Sequence, residues 1–196
     1  MTMVVAMWCR HKGDDIIGIN NQLPWSIPSD GKKFLDVVEG QNVVLGRKTY
    51  ESLPQKTVGE SKLFVFTTQS GYELYDYKNQ HIVCSQKELA DLLEEDEDLY
   101  VAGGAEIYQL FMDGKEKLKP HIIVDCVYEG DLLGKVGVMV NIKSVIETMS
   151  KKYKKITPDY CLDNVASAIW VRKGEFIEQS VLKRIICILE REAVLR

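Results

Sequence analysis

The first residues that could carry out chemistry lie in an irregular stretch near the amino terminus. Residues 17–30 read Ile-Gly-Ile-Asn-Asn-Gln-Leu-Pro-Trp-Ser-Ile-Pro-Ser-Asp, and the prolines and the Asn-Asn pair disfavour a regular strand or helix there. The stretch delivers Asp30 into the first turn of an apolar helix, in which Phe34 follows one turn later on the same face. An acid beside an aromatic ring suits a flat ligand with hydrogen-bond donors along one edge. Asp30 alone would favour a simpler interpretation, an acid that complements the helix dipole.

Residues suited to phosphate groups follow three short apolar runs. Residues 47–49, Arg-Lys-Thr, come after a strand-like run that ends at Gly46, so two cations and a hydroxyl would stand at a helix amino terminus. Gly103 and Gly104 separate another such run from a helix, and glycines let a pyrophosphate approach the main chain closely. Residues 67–68, Thr-Thr, end a third run. A Gly-Gly pair alone is explained equally well by a tight turn, but the three sites together predict a nucleotide cofactor.

The elements that must position these groups alternate along the chain. Short runs rich in β-branched and aromatic residues predict strands at residues 4–8, 42–45, 63–67, 82–84, 99–102, 122–128, 168–172 and 184–189. Helical patterns cover residues 30–39, 47–53, 86–95 and 105–112. This order predicts an α/β fold in which helices cover both faces of a mixed, mostly parallel sheet with an antiparallel carboxy-terminal edge. With no repeat or linker, one domain is expected over residues 1–196.

Composition excludes several classes of function. The chain has 25 Lys and Arg against 29 Asp and Glu, and this net charge of −4 disfavours a nucleic-acid or anionic-membrane surface. Five scattered cysteines without a Cys-x-x-Cys pair, and only three histidines, argue against a disulfide scaffold and a metal site. No apolar run approaches the roughly 18–20 residues of a membrane span, so we expect a cytoplasmic protein with reduced thiols.

Three segments carry a resemblance to a known family. Residues 17–30 with Phe34, residues 46–53 and residues 103–108 resemble the signature segments of dihydrofolate reductases, in the same order and spacing. Glu129-Gly130-Asp131 resembles a later Glu-Gly-Asp, and residues 188–191 resemble the closing strand of the family. The resemblance is good over residues 3–131 and loose over 166–191. Reductases of the same fold that act on pyrimidines share the glycine segments, but they are not expected to carry the Pro-Trp-x-x-Pro-x-Asp element.

The resemblance implies an oxidoreductase of one-carbon metabolism with an eight-stranded sheet. It would be a monomer that uses NADPH to reduce 7,8-dihydrofolate to tetrahydrofolate and binds antifolates such as methotrexate. Asp30 would be the catalytic acid that binds the pterin 2-amino group and N3. The substrate-binding residues implied are Val5, Ala6, Asp30, Phe34, Leu53, Tyr108 and Ile122. Those implied for the cofactor are Ala6, Met7, Ile17, Gly46, Arg47, Lys48, Thr49, Thr67, Thr68, Gly103, Gly104, Ala105, Glu106 and Ile107. Leu23 and Trp25 would belong to the loop that closes the site, no metal is implied, and the Gly103–Gly104 peptide is expected to be cis.

The chain departs from the family pattern at four places. Ser61 stands where an arginine grips the folate carboxylate, so Lys62 or another cation is the expected substitute, and Ser61→Arg is expected to tighten folate binding. Ile122 replaces a threonine that is usually bonded to the acid, and Gly31 replaces a bulky apolar residue. Residues 141–153 carry an apolar stripe at helical spacing, which predicts an atypical helical insert packed on the sheet edge.

These departures leave two alternatives to a dihydrofolate reductase. One is a reductase of the same fold that acts on another pterin or on a pyrimidine. The other is a protein without catalytic activity that retains the nucleotide site but has lost folate. Turnover of dihydrofolate and binding of methotrexate distinguish them.

Overall fold

The fold is described from a computed structural model of the 196-residue chain. The structure describes residues 2–53, 60–74, 80–83, 85–94, 97–132, 136–191 and 193–195. No helix within these ranges is long and apolar enough to cross a membrane.

Six α-helices, one short 3-10 helix (Glu116–Leu118) and twelve strands follow one another in these ranges. The strands are β1 (Val4–His11), β2 (Ile16–Ile19), β3 (Asn42–Gly46), β4 (Lys62–Phe66), β5 (Gln80–Val83), β6 (Leu99–Val101), β7 (Ile122–Tyr128), β8 (Met139–Asn141), β9 (Tyr153–Lys155), β10 (Tyr160–Leu162), β11 (Val165–Arg172) and β12 (Val194–Leu195). The helices are α1 (Pro28–Val38), α2 (Arg47–Ser52), α3 (Gln86–Leu92), α4 (Ala105–Asp113), α5 (Lys143–Lys152) and α6 (Gln179–Glu190).

The strands form one large mixed sheet and one small ribbon. The large sheet has the order β12-β10-β11-β7-β1-β6-β3-β4-β5, with β9 also paired to β11. Pairing is parallel from β7 through β1, β6 and β3 to β4 and β5. Pairing is antiparallel from β7 through β11 to β10 and β12. The predicted α/β class with an antiparallel edge is confirmed, although the described sheet has ten strands where eight were expected.

Side-chain alternation along β1 divides the core into two layers. Val5 and Met7 join the cluster under α1 and α6, whereas Val4, Ala6 and Trp8 join the cluster under α3, α4 and α5. Because helices cover both faces, the central strands are apolar on both sides, as the continuous run from Met3 to Trp8 shows. The layer under α1 is the one that receives Asp30.

The predicted strand over residues 184–189 is wrong, because this segment lies within helix α6. The run Ile-Ile-Cys-Ile-Leu is rich in β-branched residues, but Val181, Ile185 and Ile188 recur at helical spacing and all are buried. The resemblance of residues 188–191 to a closing strand fails for the same reason. Strand β11 is the long antiparallel neighbour of β7 instead.

The helical prediction for residues 141–153 agrees with α5. Its buried residues Val145 and Met149 face the second core cluster, and α5 packs beside α4 and next to strand β9. The side chain of Asn141 accepts a hydrogen bond from the Lys143 backbone at 3.2 Å, so it supports the start of the helix.

Candidate functional site

Helix α1 places the carboxyl group of Asp30 inside the protein. Pro28 occupies the first turn, where its fixed φ suits a helix start and its missing N–H costs nothing. The backbone N–H of Asp30 bonds to the Ile27 carbonyl at 3.1 Å, which fixes the residue within that turn. Asp30 is only 7% exposed, so its side chain is far more enclosed than an acid that merely complements a helix dipole requires.

A row of small polar side chains lies under this turn. Cys9 of β1 is in register with Cys126 of β7, and Cys126 is in register with Ser167 of β11. We call Cys9, Cys126 and Ser167 the polar row. The Cys9 thiol is hydrogen-bonded to Asp30, and the ammonium of Lys33 donates to Ser167 Oγ at 3.2 Å. The side chains that pack beneath Asp30 thus come from three adjacent strands, β1, β7 and β11.

Burial and two neighbours act in opposite directions on Asp30. Loss of hydration raises the pKa of its carboxyl group, whereas the Lys33 cation and the Cys9 hydrogen bond lower it. Burial also raises the pKa of Cys9, and it raises the pKa of Cys126 to about 12. The cysteines therefore remain neutral thiols near the acid.

Helix α4 is joined to β1 through Tyr108. The Tyr108 hydroxyl donates to the Met7 carbonyl at 2.7 Å, and its ring meets Trp8 edge-on at 5.2 Å between centroids. Gly103 has φ +95°, and a Cβ there would lie 2.7 Å from the Tyr108 ring, so only glycine fits at this position. The Gly103–Gly104 peptide is cis, as the resemblance predicted.

The three sequence segments suited to phosphates meet at the carboxyl ends of the parallel strands β3, β4 and β6. We call this end of the sheet the nucleotide edge. Gly46 at the end of β3 is in register with Phe66 at the end of β4, so Thr67 lies beside it. The Gly46 N–H donates to the Gly103 carbonyl at 2.6 Å, which brings the third segment alongside. The carboxyl ends of parallel strands are the usual place for a nucleotide in an open α/β sheet.

The remaining residues predicted for the cofactor surround this edge. Thr49 lies close to Gly104, because a Cβ on that glycine would be 3.2 Å from Thr49 Oγ1. Arg47 forms an ion pair with Glu51 at 2.8 Å within α2, and Lys48 and Thr68 are exposed. Ala105, Glu106 and Ile107 form the first turn of α4, with Ile107 buried and Glu106 exposed.

The loop predicted to close the site lies between β2 and α1. Leu23 is 62% exposed, whereas Trp25 is buried against the Tyr128 ring at 4.8 Å between centroids. The Trp25 indole N–H is buried and has no hydrogen-bond partner in the described part of the chain. Ile17, in β2, is half-buried against the second core cluster.

The apolar residues predicted for the substrate lie at different depths. Val5 and Ile122 pair across β1 and β7 and are fully buried, while Phe34 and Leu53 are half-buried above them. Ala6 faces the opposite core cluster, so the predicted substrate-binding residues of β1 lie on two different faces of the sheet. Gly31 has open space around its missing Cβ, which agrees with a thinner wall at that position.

Lys62 is not placed to substitute for an arginine at Ser61. Its ammonium lies 5.3 Å from the centroid of the Phe64 ring, and Phe64 belongs to the cluster on the face opposite α1. Ser61 is buried, and its hydroxyl donates to the Val38 carbonyl at 2.7 Å. Since that bond secures the end of α1, Ser61→Arg is expected to disturb the helix rather than tighten folate binding.

Sequence reasoning missed the partners of the acid. Cys9 lies two residues beyond Met7 on the same face of β1, so strand alternation could have identified it. Lys33 could have been found at helical spacing from Asp30. Ser167 could not, because it is 134 positions from Lys33 and meets it only in the folded sheet. No group of three or more potential metal ligands is present in the described residues.

An open α/β sheet with glycines and threonines at the carboxyl ends of its parallel strands, together with a buried acid, is typical of the class of nucleotide-binding enzymes. The family model for dihydrofolate reductase matches residues 2–154. The chain is 32% identical to the dihydrofolate reductase of Enterococcus faecium over 130 residues, which are 66% of this chain and 75% of the relative. It is 28% identical to the Lactococcus lactis dihydrofolate reductase over 130 residues, 66% of this chain and 76% of that one.

A solved structure gives the same comparison in three dimensions. The dihydrofolate reductase of Enterococcus faecalis, complexed with NADP(H) and RAB-propyl, superposes with a TM-score of 0.65 at 18% identity. The match covers 87% of this chain and 96% of that structure. The chain belongs to the dihydrofolate reductase family.

Proposed function

We propose that this chain catalyses the NADPH-dependent reduction of 7,8-dihydrofolate to 5,6,7,8-tetrahydrofolate. The observation that carries the proposal is the position of Asp30, enclosed at the start of α1 above β1 and β7. Family membership supports the same reaction. A carboxylate is the group suited to the donor edge of a pterin, because it accepts from the 2-amino group and from N3 together.

The edge formed by Gly46, Thr67 and Gly103 suits the phosphates of NADPH. Glycine at position 104 leaves the main chain open beside Thr49, and the first turn of α4 presents backbone N–H groups there. Arg47 and Thr68 would favour the 2′-phosphate of NADPH over the hydroxyl of NADH. Ala6, Met7 and Ile17 would lie against the nicotinamide end, beside Tyr108.

The protein contributes charge, orientation and exclusion of water. When bound, NADPH supplies the hydride that reduces the pterin at C6, while N5 gains a proton. The carboxylate of Asp30 stabilises the positive charge that develops on the pterin ring. Water delivers the proton to N5, since no histidine or cysteine falls in the three signature segments. Leu23 and Trp25 exclude bulk solvent when their loop closes.

We propose further that the enzyme is a cytoplasmic monomer. A cytoplasmic location is supported by four unpaired cysteines among the described residues, Cys9, Cys126, Cys161 and Cys187. The monomeric state is what the family resemblance implies. A net charge of −4 gives no support for a nucleic-acid partner. Antifolates such as methotrexate would bind through the same Asp30 contacts.

The direct test is turnover of dihydrofolate followed by the absorbance of NADPH. We expect turnover with dihydrofolate and slower turnover with other oxidised pterins or pyrimidines, and we expect calorimetry to show that methotrexate and NADPH both bind. NADPH binding without methotrexate binding would instead identify a nucleotide-binding protein that has lost folate. Faster turnover of a pyrimidine would identify a reductase of different specificity.

A further inference from the structure

Lys33 is buried in an apolar layer where a lysine is rarely found. It is 7% exposed on the face of α1 that packs against the sheet, among side chains such as Val37 and Ile169. Lysine is almost never enclosed to this degree unless an anion or a polar partner compensates it. Ser167 is one such partner, through the 3.2 Å bond from Lys33 Nζ to Ser167 Oγ, but a neutral hydroxyl does not balance the charge.

Asp30 is the buried acid that shares a face of α1 with Lys33. Residues three apart on a helix are neighbours on one face, with Cβ atoms about 5–6 Å apart. Asp30 and Lys33 have this spacing, both are buried, and both point to the polar row. Ile122, which lies in the same layer and is fully buried, has no polar group to offer the acid.

We infer that Lys33 is a positioning residue for Asp30. The Lys33 ammonium, which is held by its hydrogen bond to Ser167, keeps the buried Asp30 carboxylate ionised and oriented toward the donor edge of the substrate. This positioning role depends on the proposed function only because Asp30 is proposed to bind a pterin. Lys33 and Ser167, the residues that carry it, lie in none of the signature segments.

The other titratable groups around Asp30 cannot take this role. Cys9 of β1 and Cys126 of β7 lie on the same side of the sheet as Asp30, Tyr108 of α4 lies in the opposite core cluster within electrostatic reach of it, and burial raises the pKa of each. They are therefore neutral at physiological pH. Cys9 contributes a hydrogen bond, but Lys33 contributes the positive charge. On β7, Asp125 is bonded to Trp8 and Arg10.

The alternative is a purely structural Lys33 that only joins α1 to β11. Both roles predict lower stability when the side chain is changed, so stability does not separate them. The protonation of Asp30 does, because only a charge that acts on the carboxylate moves its titration midpoint. Lys33→Met keeps an unbranched side chain that is shorter by the terminal nitrogen, and it removes the charge. Lys32→Met is the matched control, since Lys32 is the exposed neighbour on the same helix.

The experiment titrates the Asp30 carboxyl group in the ligand-free protein by carbon NMR, with Asp30→Asn used to assign its signal. We expect Lys33→Met to raise the midpoint by roughly one pH unit or more, and Lys32→Met to leave it unchanged. The acid limb of the pH profile of kcat should move in the same direction. An unchanged midpoint in folded Lys33→Met would overturn the inference.

Ser167→Ala keeps the test decisive if Lys33→Met fails to fold. This variant releases the anchor but retains the ammonium, so we expect a smaller upward shift of the midpoint. A midpoint equal to that of the parent protein would show that the anchored lysine does not act on the acid. Because the titration needs no substrate, failure to turn over dihydrofolate would refute the proposed function and leave this result intact.

Discussion

At the residue scale, the carboxyl group of Asp30 occupies a position that disfavours its own charge. Its pKa in the folded protein is raised above the ordinary 3.8 by burial, so the folded state binds the proton more tightly than the unfolded state. The free energy of unfolding therefore falls as pH rises from 3.8 through the folded pKa, and above that pKa the deficit stays constant. A buried group that lowers the stability of the folded protein is typical of a functional site rather than of residues that only support the fold.

Asp30→Asn should accordingly be more stable than the parent protein at neutral pH. We expect the two free energies of unfolding to converge as the pH falls below 3.8, where the parent carboxyl becomes protonated in the unfolded state as well as in the folded state. Urea unfolding at several pH values measures the difference. Asp36→Asn, a change to a partly exposed acid on the same helix that pairs with Arg191, should show no such gain. An Asp30→Asn protein that is less stable at neutral pH would contradict the assigned cause.

Gly103 offers a second prediction, because two glycines of the chain share φ +95° but differ in their surroundings. A Cβ at Gly13 meets nothing within 4 Å, whereas one at Gly103 would strike the Tyr108 ring. Gly13→Ala should cost about 1–2 kcal/mol, the strain of a left-handed backbone alone. Gly103→Ala should cost more and weaken NADPH binding, measured by urea unfolding and calorimetry. Equal costs would show that Tyr108 moves aside freely.

The sequence identified functional residues correctly where the residues of a motif are close together along the chain. Asp30 and the Gly103–Gly104 pair are recognisable from their immediate neighbours. The polar row was not recognised, because register between β1, β7 and β11 places its members together. Lys62 was misassigned because alternation along β4 directs it to the face opposite α1.

At the element scale, α6 completes the layer that holds α1. Arg184 of α6 donates to the Val37 carbonyl at 2.7 Å and to the Tyr100 hydroxyl at 2.6 Å. The Val37 carbonyl is among the last four of α1, which have no partner within the helix, so Arg184 caps that end. The Ser61 hydroxyl does the same for Val38.

Arg184→Met should therefore destabilise the protein more than a surface change does. A hydrogen bond that involves a charged group contributes about 1.5–3 kcal/mol, and two such bonds are lost here. Urea unfolding of Arg184→Met and of Lys183→Met, an exposed neighbour on α6, gives the comparison. We expect a loss of at least about 1.5 kcal/mol for the first and a change within about 0.5 kcal/mol for the second. Equal effects would mean that the cap contributes nothing.

The same helix shows where sequence periodicity was ambiguous. A run such as Ile-Ile-Cys-Ile-Leu fits a buried strand or a buried helix, and only the apolar positions upstream, beginning at Val181, decide for the helix. Helix α5 was recognisable because its stripe is longer and separated by charged residues. The parallel order of β1, β3, β4 and β6 followed from the intervening helices. The order beyond β7 did not, because part of α6 was predicted as a strand and the short strands β10 and β12 were not predicted.

At the scale of the whole molecule, the sheet joins both core clusters, so we propose that residues 1–196 form one cooperative domain. Urea unfolding followed by tryptophan fluorescence and by far-ultraviolet circular dichroism should give coincident single transitions. NADPH at about 100 times its Kd should raise the free energy of unfolding by about 2.7 kcal/mol, because it binds the folded state alone. Two separated transitions, or one that NADPH leaves unmoved, would contradict a single domain with a preformed nucleotide edge.

The central claim is that the charge of Asp30 drives hydride transfer to a pterin, and single-turnover kinetics of Asp30→Asn test it most directly. Mixing the NADPH complex with dihydrofolate from about pH 5 to pH 8 measures hydride transfer in the variant, in the parent protein and in the Asp36→Asn control. We expect Asp30→Asn to lose about a hundred- to a thousandfold in rate at neutral pH, the cost of one preorganised electrostatic group. The loss should shrink at low pH, where solvent protonates the substrate, and NADPH affinity should not change. Hydride transfer by Asp30→Asn at the parent rate across this range would contradict the account.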